Sequence, residues 1–162
     1  MEAATAFLAA RPRSIGETTR RLRDLGYAHA LVDEVVTRLV EVGYLDDDAF
    51  ARVWVESRDR ARPRGEFTLR RELGQKGVAR PVVDEALDER AQRAPHGDAD
   101  SGAAVALLNR RRAALEREPD PRKRRQRAYA LLARSGFDPE TCRAVSASVG
   151  NGISSETTDD AD

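Results

Sequence analysis

In each of three segments spaced along this chain a leucine stands four residues ahead of a glycine that is itself followed by an apolar residue. The sets are Leu22, Gly26 and Tyr27; Leu73, Gly77 and Val78; Leu132, Gly136 and Phe137. A helix C-terminus needs this arrangement, because glycine reaches the left-handed conformation cheaply and the apolar side chain after it folds back on the last turn. A signal that recurs in this way marks a repeat, and repeats decide the architecture before any count of domains does.

The surroundings of the glycines repeat as well. Pro12, Pro63 and Pro121 lie fourteen, fourteen and fifteen residues upstream and punctuate the start of each helix. Ser14 with Glu17 adds a capping box to the first. Downstream, Val32, Val83 and Cys142, then Val35, Ala86 and Val145, fall on one helical face. Ahead of each proline runs a further apolar segment: Ala3 to Ala10, then Phe50, Val53 and Trp54, then Val105 and Leu108. With aromatics at 5% and charged residues at 35%, composition also favours solvated helices over sheet. The expectation is an all-α chain, a tandem array of three three-helix, helix-turn-helix-like repeats, elongated or bent. The units span 1–45 (with a short first helix), 46–94 and 103–149, with 95–102 as a polar linker. Each is too small to be stable alone and leans on its neighbour.

Residues 150–162 carry Glu156, Asp159, Asp160 and Asp162, no base and little to bury, so a disordered acidic tail is expected there. The single cysteine, Cys142, rules out an internal disulfide and reads as a small core residue. No basic leader precedes an apolar core at the N-terminus, and no long apolar run occurs. A cytoplasmic monomer is expected.

Catalysis finds little support. Asp46, Asp47 and Asp48 cluster as carboxylates do around Mg²⁺ or Ca²⁺, but the glycine and distal glutamate of a calcium loop are missing. Asp46 reads as a helix N-cap, with its neighbours on the positive end of the dipole. His29 and His96 have no second ligand at metal spacing, and no P-loop, GxSxG, HExxH or GxGxxG occurs. No catalytic residue, cofactor or metal is expected.

Charge is more informative. The 28 basic and 28 acidic residues cancel, yet they are segregated along the chain. The third helices carry Asp33, Glu34, Glu41, Asp84, Glu85, Asp88 and Glu89, which phosphate would repel, so a helix-turn-helix contact to the DNA major groove is disfavoured. The middle helices carry Arg20, Arg21 and Arg23, then Arg70 and Arg71, then Arg122, Lys123, Arg124, Arg125 and Arg127. With Leu69 and Leu73 facing inward, Arg71 points nearly opposite and Arg70 to one side. The expected partner-binding strip is Arg70, Arg71, Arg122, Lys123, Arg124, Arg125 and Arg127. The alternative for the first two units is a solvated face with local acidic partners.

Four strings have further meaning together: RPRS at 11–14, GYLDDDAFA at 43–51, RGEFTLRRELGQKGV at 64–78 and LLARSGFDPE at 131–140. In this order and spacing the chain resembles the RecX family, bacterial regulators of the RecA recombinase, up to Val149. The resemblance implies tandem three-helix repeats and binding in the groove of the RecA filament on single-stranded DNA. It further implies restraint of filament growth, ATP turnover and strand exchange, and at most weak or indirect contact with the DNA. It marks Tyr44, Leu45, Asp46, Asp47, Phe50 and Ala51, and also Gly65, Leu69, Glu72, Leu73 and Gly77. Most of these, with Gly136, are expected to serve architecture. The alternative reading is a direct single-stranded nucleic-acid binder that uses the Arg-rich strip.

Overall fold

The computed structural model describes residue 8, residues 11–95 and residues 98–149. Most of the segment expected to form the first helix of unit one, His96 and the tail expected to be disordered lie outside them. Among the described residues every regular element is a helix. Unit one contributes α1 (Ile15–Asp24) and α2 (His29–Glu41), and Leu8 packs on them. Unit two is α3 (Asp47–Ala61), α4 (Glu66–Gln75) and α5 (Arg80–Arg93). In unit three come α6 (Ala99–Arg110), the short α7 (Arg112–Glu116), α8 (Pro121–Arg134) and α9 (Pro139–Ser148).

Local chemistry explains where the helices start and stop. Ser14 and Glu17 form the full capping box on α1, and Asp46 accepts from the Ala49 amide at 2.9 Å to cap α3. Pro121 and Pro139 open α8 and α9 behind the caps Asp120 and Asp138. Gly26, Gly77 and Gly136 have φ of 86°, 82° and 86°, the left-handed conformation that their spacing predicts. Gly43, which the repeat pattern had not singled out, ends α2 in the same way with φ 75°.

Each unit has its own apolar cluster. Leu22, Val32, Leu39 and Leu45 fill the first; Phe50, Val55, Leu69, Leu73 and Val83 are central to the second; Leu107, Leu108, Leu132, Phe137 and Cys142 are central to the third. Burying a leucine of this kind stabilises by roughly 1.5–3 kcal/mol, so each cluster is small and joints between units matter. Two residues of the apolar segments ahead of the prolines lie outside: Val53 is 52% and Val105 46% exposed, because Trp54, Ala104 and Leu107 take the inward positions. The stretch expected to be a linker is half helical, since α6 begins at Ala99 behind the Asp98 cap.

The two joints are built alike. At the first, the Ser14 hydroxyl donates to the Lys76 carbonyl at 2.6 Å and the Ile15 amide donates to Asp47 Oδ1 at 2.8 Å. At the second, the Gly65 amide donates to the Ser135 carbonyl at 3.1 Å and the Glu66 amide to Asp100 Oδ2 at 3.0 Å. In both, the first turn of one middle helix sits on the glycine turn that ends the next middle helix, and a carboxylate from the following unit's first helix caps it. Middle-helix dipoles are thereby set end to end, positive terminus on negative.

Glycines make the approach possible. A Cβ on Gly16 would lie 2.6 Å from the Lys76 carbonyl oxygen, and one on Gly65 would collide with the Gly136 backbone. Arg90, 7% exposed, adds an ionic tie at the second joint: it reaches both Asp59 oxygens, at 2.9 and 3.0 Å, and Asp100 at 2.6 Å.

Candidate functional site

The expected cationic strip divides into tied and free members. Arg70 is held by Glu66 at 2.7 Å and by Asp84 in a close ion pair, and these two acids hold its guanidinium above its usual pKa despite partial burial. Local partners therefore occupy it. Arg127 pairs with the buried Glu118 at 2.7 Å, and Arg124 donates to the Glu118 carbonyl at 3.0 Å. Both fix the segment leading into α8. Glu118 lies outside the basic run itself, which is why the run seemed free of acids.

Arg71, Arg122, Lys123 and Arg125 remain exposed, and no described side chain bonds to theirs. Three of the four lie in the first turn and a half of α8, and Arg111 and Arg117, which flank α7 in the chain, are also exposed. A first turn carries the positive end of the helix dipole, so the dipole adds to the side-chain charge there. The result is a compact cationic end on unit three, with Arg71 as a separate cation on unit two.

The residues that the family strings mark differ in their surroundings. Leu45, Phe50, Leu69 and Leu73 are buried. Glu72 accepts from Trp54 Nε1 at 2.9 Å and from Arg58 Nε at 2.7 Å, while Arg58 and Lys76 stand 4.3 and 4.1 Å from the Trp54 ring. This polar and aromatic stack clamps α3 to α4. Tyr44 differs: it is 67% exposed and joins none of the apolar clusters among the described residues.

The carboxylates near the joints act on backbone amides. Burial pushes the Asp47 carboxyl up and neighbouring acids add to this, against the bond from the Ile15 amide. Burial raises Asp100 too, opposed by the Glu66 amide and Arg90. Glu17 is partly buried, but bonds from Arg11, Lys76 and the Ser14 amide hold its pKa below the usual value. Among the described residues no cluster of acids, histidines or cysteine has the arrangement of a metal site, and no helix is long and apolar enough to cross a membrane.

Phe67 escaped the sequence reading. It is 71% exposed on α4 and borders a groove of about 630 Å³ between units two and three, with Arg70 and Pro139 on its walls. Its helical phase, away from Leu69 and Leu73, was the available signal.

The repeats have counterparts in known proteins. A family profile described as RecX, first three-helix domain, matches residues 1–39, and one described as RecX, second three-helix domain, matches residues 46–87. The regulatory protein RecX of Chlorobium phaeobacteroides (strain BS1) is 34% identical over 140 residues, 84% of this chain and 83% of that protein. The chain belongs to the RecX family. RecX of Mycobacterium sp. (strain JLS) is 36% identical over 137 residues, covering 80% of this chain and 70% of the relative. The crystal structure of RecX from Lactobacillus salivarius superposes with a TM-score of 0.73 at 17% identity, over 91% of this chain and 92% of that one. These RecX relatives are named regulatory proteins, and the structural likeness establishes the fold of tandem three-helix units.

Proposed function

We propose that this RecX-family chain is a non-enzymatic regulator that binds the RecA filament on single-stranded DNA and restrains its ATP turnover, growth and strand exchange. The observation that carries the reading is the cationic end of unit three, where Arg122, Lys123 and Arg125 are exposed at a helix start with no side-chain partner among the described residues, in a chain whose relatives are regulatory proteins. Arg suits a contact with carboxylate or phosphate because its planar fork pairs in a fixed geometry. On this reading the protein acts in the cytoplasm as a monomer, and its effect follows occupancy of the filament. DNA-dependent ATP turnover by RecA tests it: turnover falls as the protein is added, and turnover unchanged at saturating protein refutes it.

The same charge supports a second reading, direct binding of single-stranded DNA. Titration against the DNA with and without RecA separates the two. Preference for the filament supports the first, equal binding to bare DNA the second.

A further inference from the structure

We infer that the turn closing α1, Leu25 to Tyr27, is an open copy of the array's two joints, and that it receives the first turn of a helix from another protein. The backbone is the same at the three glycine turns that end middle helices. Tyr27, Val78 and Phe137 each donate their amide to the carbonyl of the leucine five residues back, and each glycine between has positive φ. What differs is the cover. Gly77 lies against Gly16, and Gly136 against Thr68, whereas no described atom lies within 4 Å of a Cβ on Gly26. Val78, Ser135 and Phe137 are buried, yet Leu25 is 46% and Tyr27 43% exposed. Lys76 and Ser135 accept a hydrogen bond across their joints through their carbonyls; among the described residues none reaches that of Leu25.

The two internal joints specify the occupant. Each is filled by a helix start with Ser or Gly at the cap, and each has glycines where the two backbones meet: Ser14 with Gly16 against Gly77, and Gly65 against Gly136. The exposed carbonyl end of α1 carries partial negative charge, which suits the positive start of a helix and disfavours phosphate. A second copy of this chain fits poorly. Its exposed middle-helix start is Asp120, Pro121 and Arg122, and side chains stand there where Gly16 admits only hydrogen. The partner is therefore a different protein, with a Ser- or Gly-capped helix and a glycine at the cap or within its first turn. This inference stands apart from the RecA reading.

The probe is a synthetic peptide copying Arg11 to Asp24, the segment that fills the equivalent face of unit two, extended by an alanine-rich tail to keep it helical. Added at millimolar concentration to the ¹⁵N-labelled protein, it shifts the amides of Leu25, Gly26 and Tyr27. A peptide carrying Gly16→Val shifts none of them. In Leu25→Cys, alkylation with a bulky maleimide abolishes the shifts; Cys142 is buried and escapes the reagent. Absence of shifts with the parent peptide overturns the inference, as does their survival after alkylation or with the Gly16→Val peptide. If the same amides respond to protein concentration alone, the occupant is a second copy. If oligothymidylate moves them, it is a nucleic acid. Either result overturns the assignment to a partner helix.

Discussion

Gly16 and Gly77 meet back to back across the first joint: a Cβ on Gly16 would lie 2.8 Å from the Gly77 Cα, and one on Gly77 would lie 2.9 Å from the Gly16 Cα. Both Gly77 and Gly26 have positive φ, so alanine at either carries the left-handed strain of about 1 kcal/mol. Gly77→Ala must also push two units apart, and overpacking of this kind costs about 1–3 kcal/mol more. Urea denaturation midpoints should therefore fall further for Gly77→Ala than for Gly26→Ala. Equal midpoints would show that the joint contributes nothing beyond the turn.

The Asp47 carboxylate caps a helix of another unit while half-buried among Asp46, Asp48 and Glu17. Burial and those charges raise its pKa, so the folded chain holds the proton to higher pH than the unfolded chain does. Its contribution to stability is therefore fully present below the unfolded pKa and declines as pH rises through the raised folded value. Asn keeps an oxygen to accept from the Ile15 amide and carries no charge. Asp47→Asn should lose little at acid pH and become relatively more stable towards neutrality. Denaturation midpoints measured across the carboxylate range check this, and parallel profiles for the two proteins would contradict it.

Arg90 ties α5 to Asp59 and Asp100 from a nearly buried position. Removing one partner of such a cluster leaves the others uncompensated, which costs about 3–5 kcal/mol when all are buried. Asp59 is partly solvated, so about 3 kcal/mol is expected for Arg90→Ala. Arg90→Lys should recover little of it, because an ammonium cannot reproduce the fork that spans both acids. A melting temperature for Arg90→Lys close to the parent would refute the fork.

What the sequence made legible was local. Gly26, Gly77 and Gly136, the Ser14 box and the Asp46 cap each act within a few residues of themselves, and each stands where its spacing implied. What it hid was set by residues far apart. Asp47 acts on Ile15, 32 positions away, and Arg90 on Asp59, 31 away. The helix that begins at Ala99 lay inside a polar stretch, its start supported from outside by Arg90. Tyr44 belongs to a recognisable string, yet a string does not say which face a ring takes. The strip looked uniform for the same reason: Arg70 finds Asp84 on the next helix, a pairing invisible along the chain.

That division refines the test of the strip. Reversing Arg70, Arg124 or Arg127 to Glu disturbs contacts within the fold, so any loss of binding would be confounded with loss of structure. Among the described residues Arg122, Lys123 and Arg125 make no such contacts, and all three are exposed. Their reversal to Glu places negative charge on the first turns of α8, which favours the dipole, so helicity and melting temperature should hold or rise slightly. Binding to the RecA filament should weaken and lose much of its salt dependence, because the charges responsible for both are gone. Inhibition of RecA ATP turnover should fall in proportion. Arg71→Glu, made alone, asks whether the contact extends to unit two; a change in affinity without change in the melting temperature would show that it does. If the triple reversal inhibits at parental concentrations and low salt, the cationic end is a solvated surface. The contact with the filament then belongs to another face of the array.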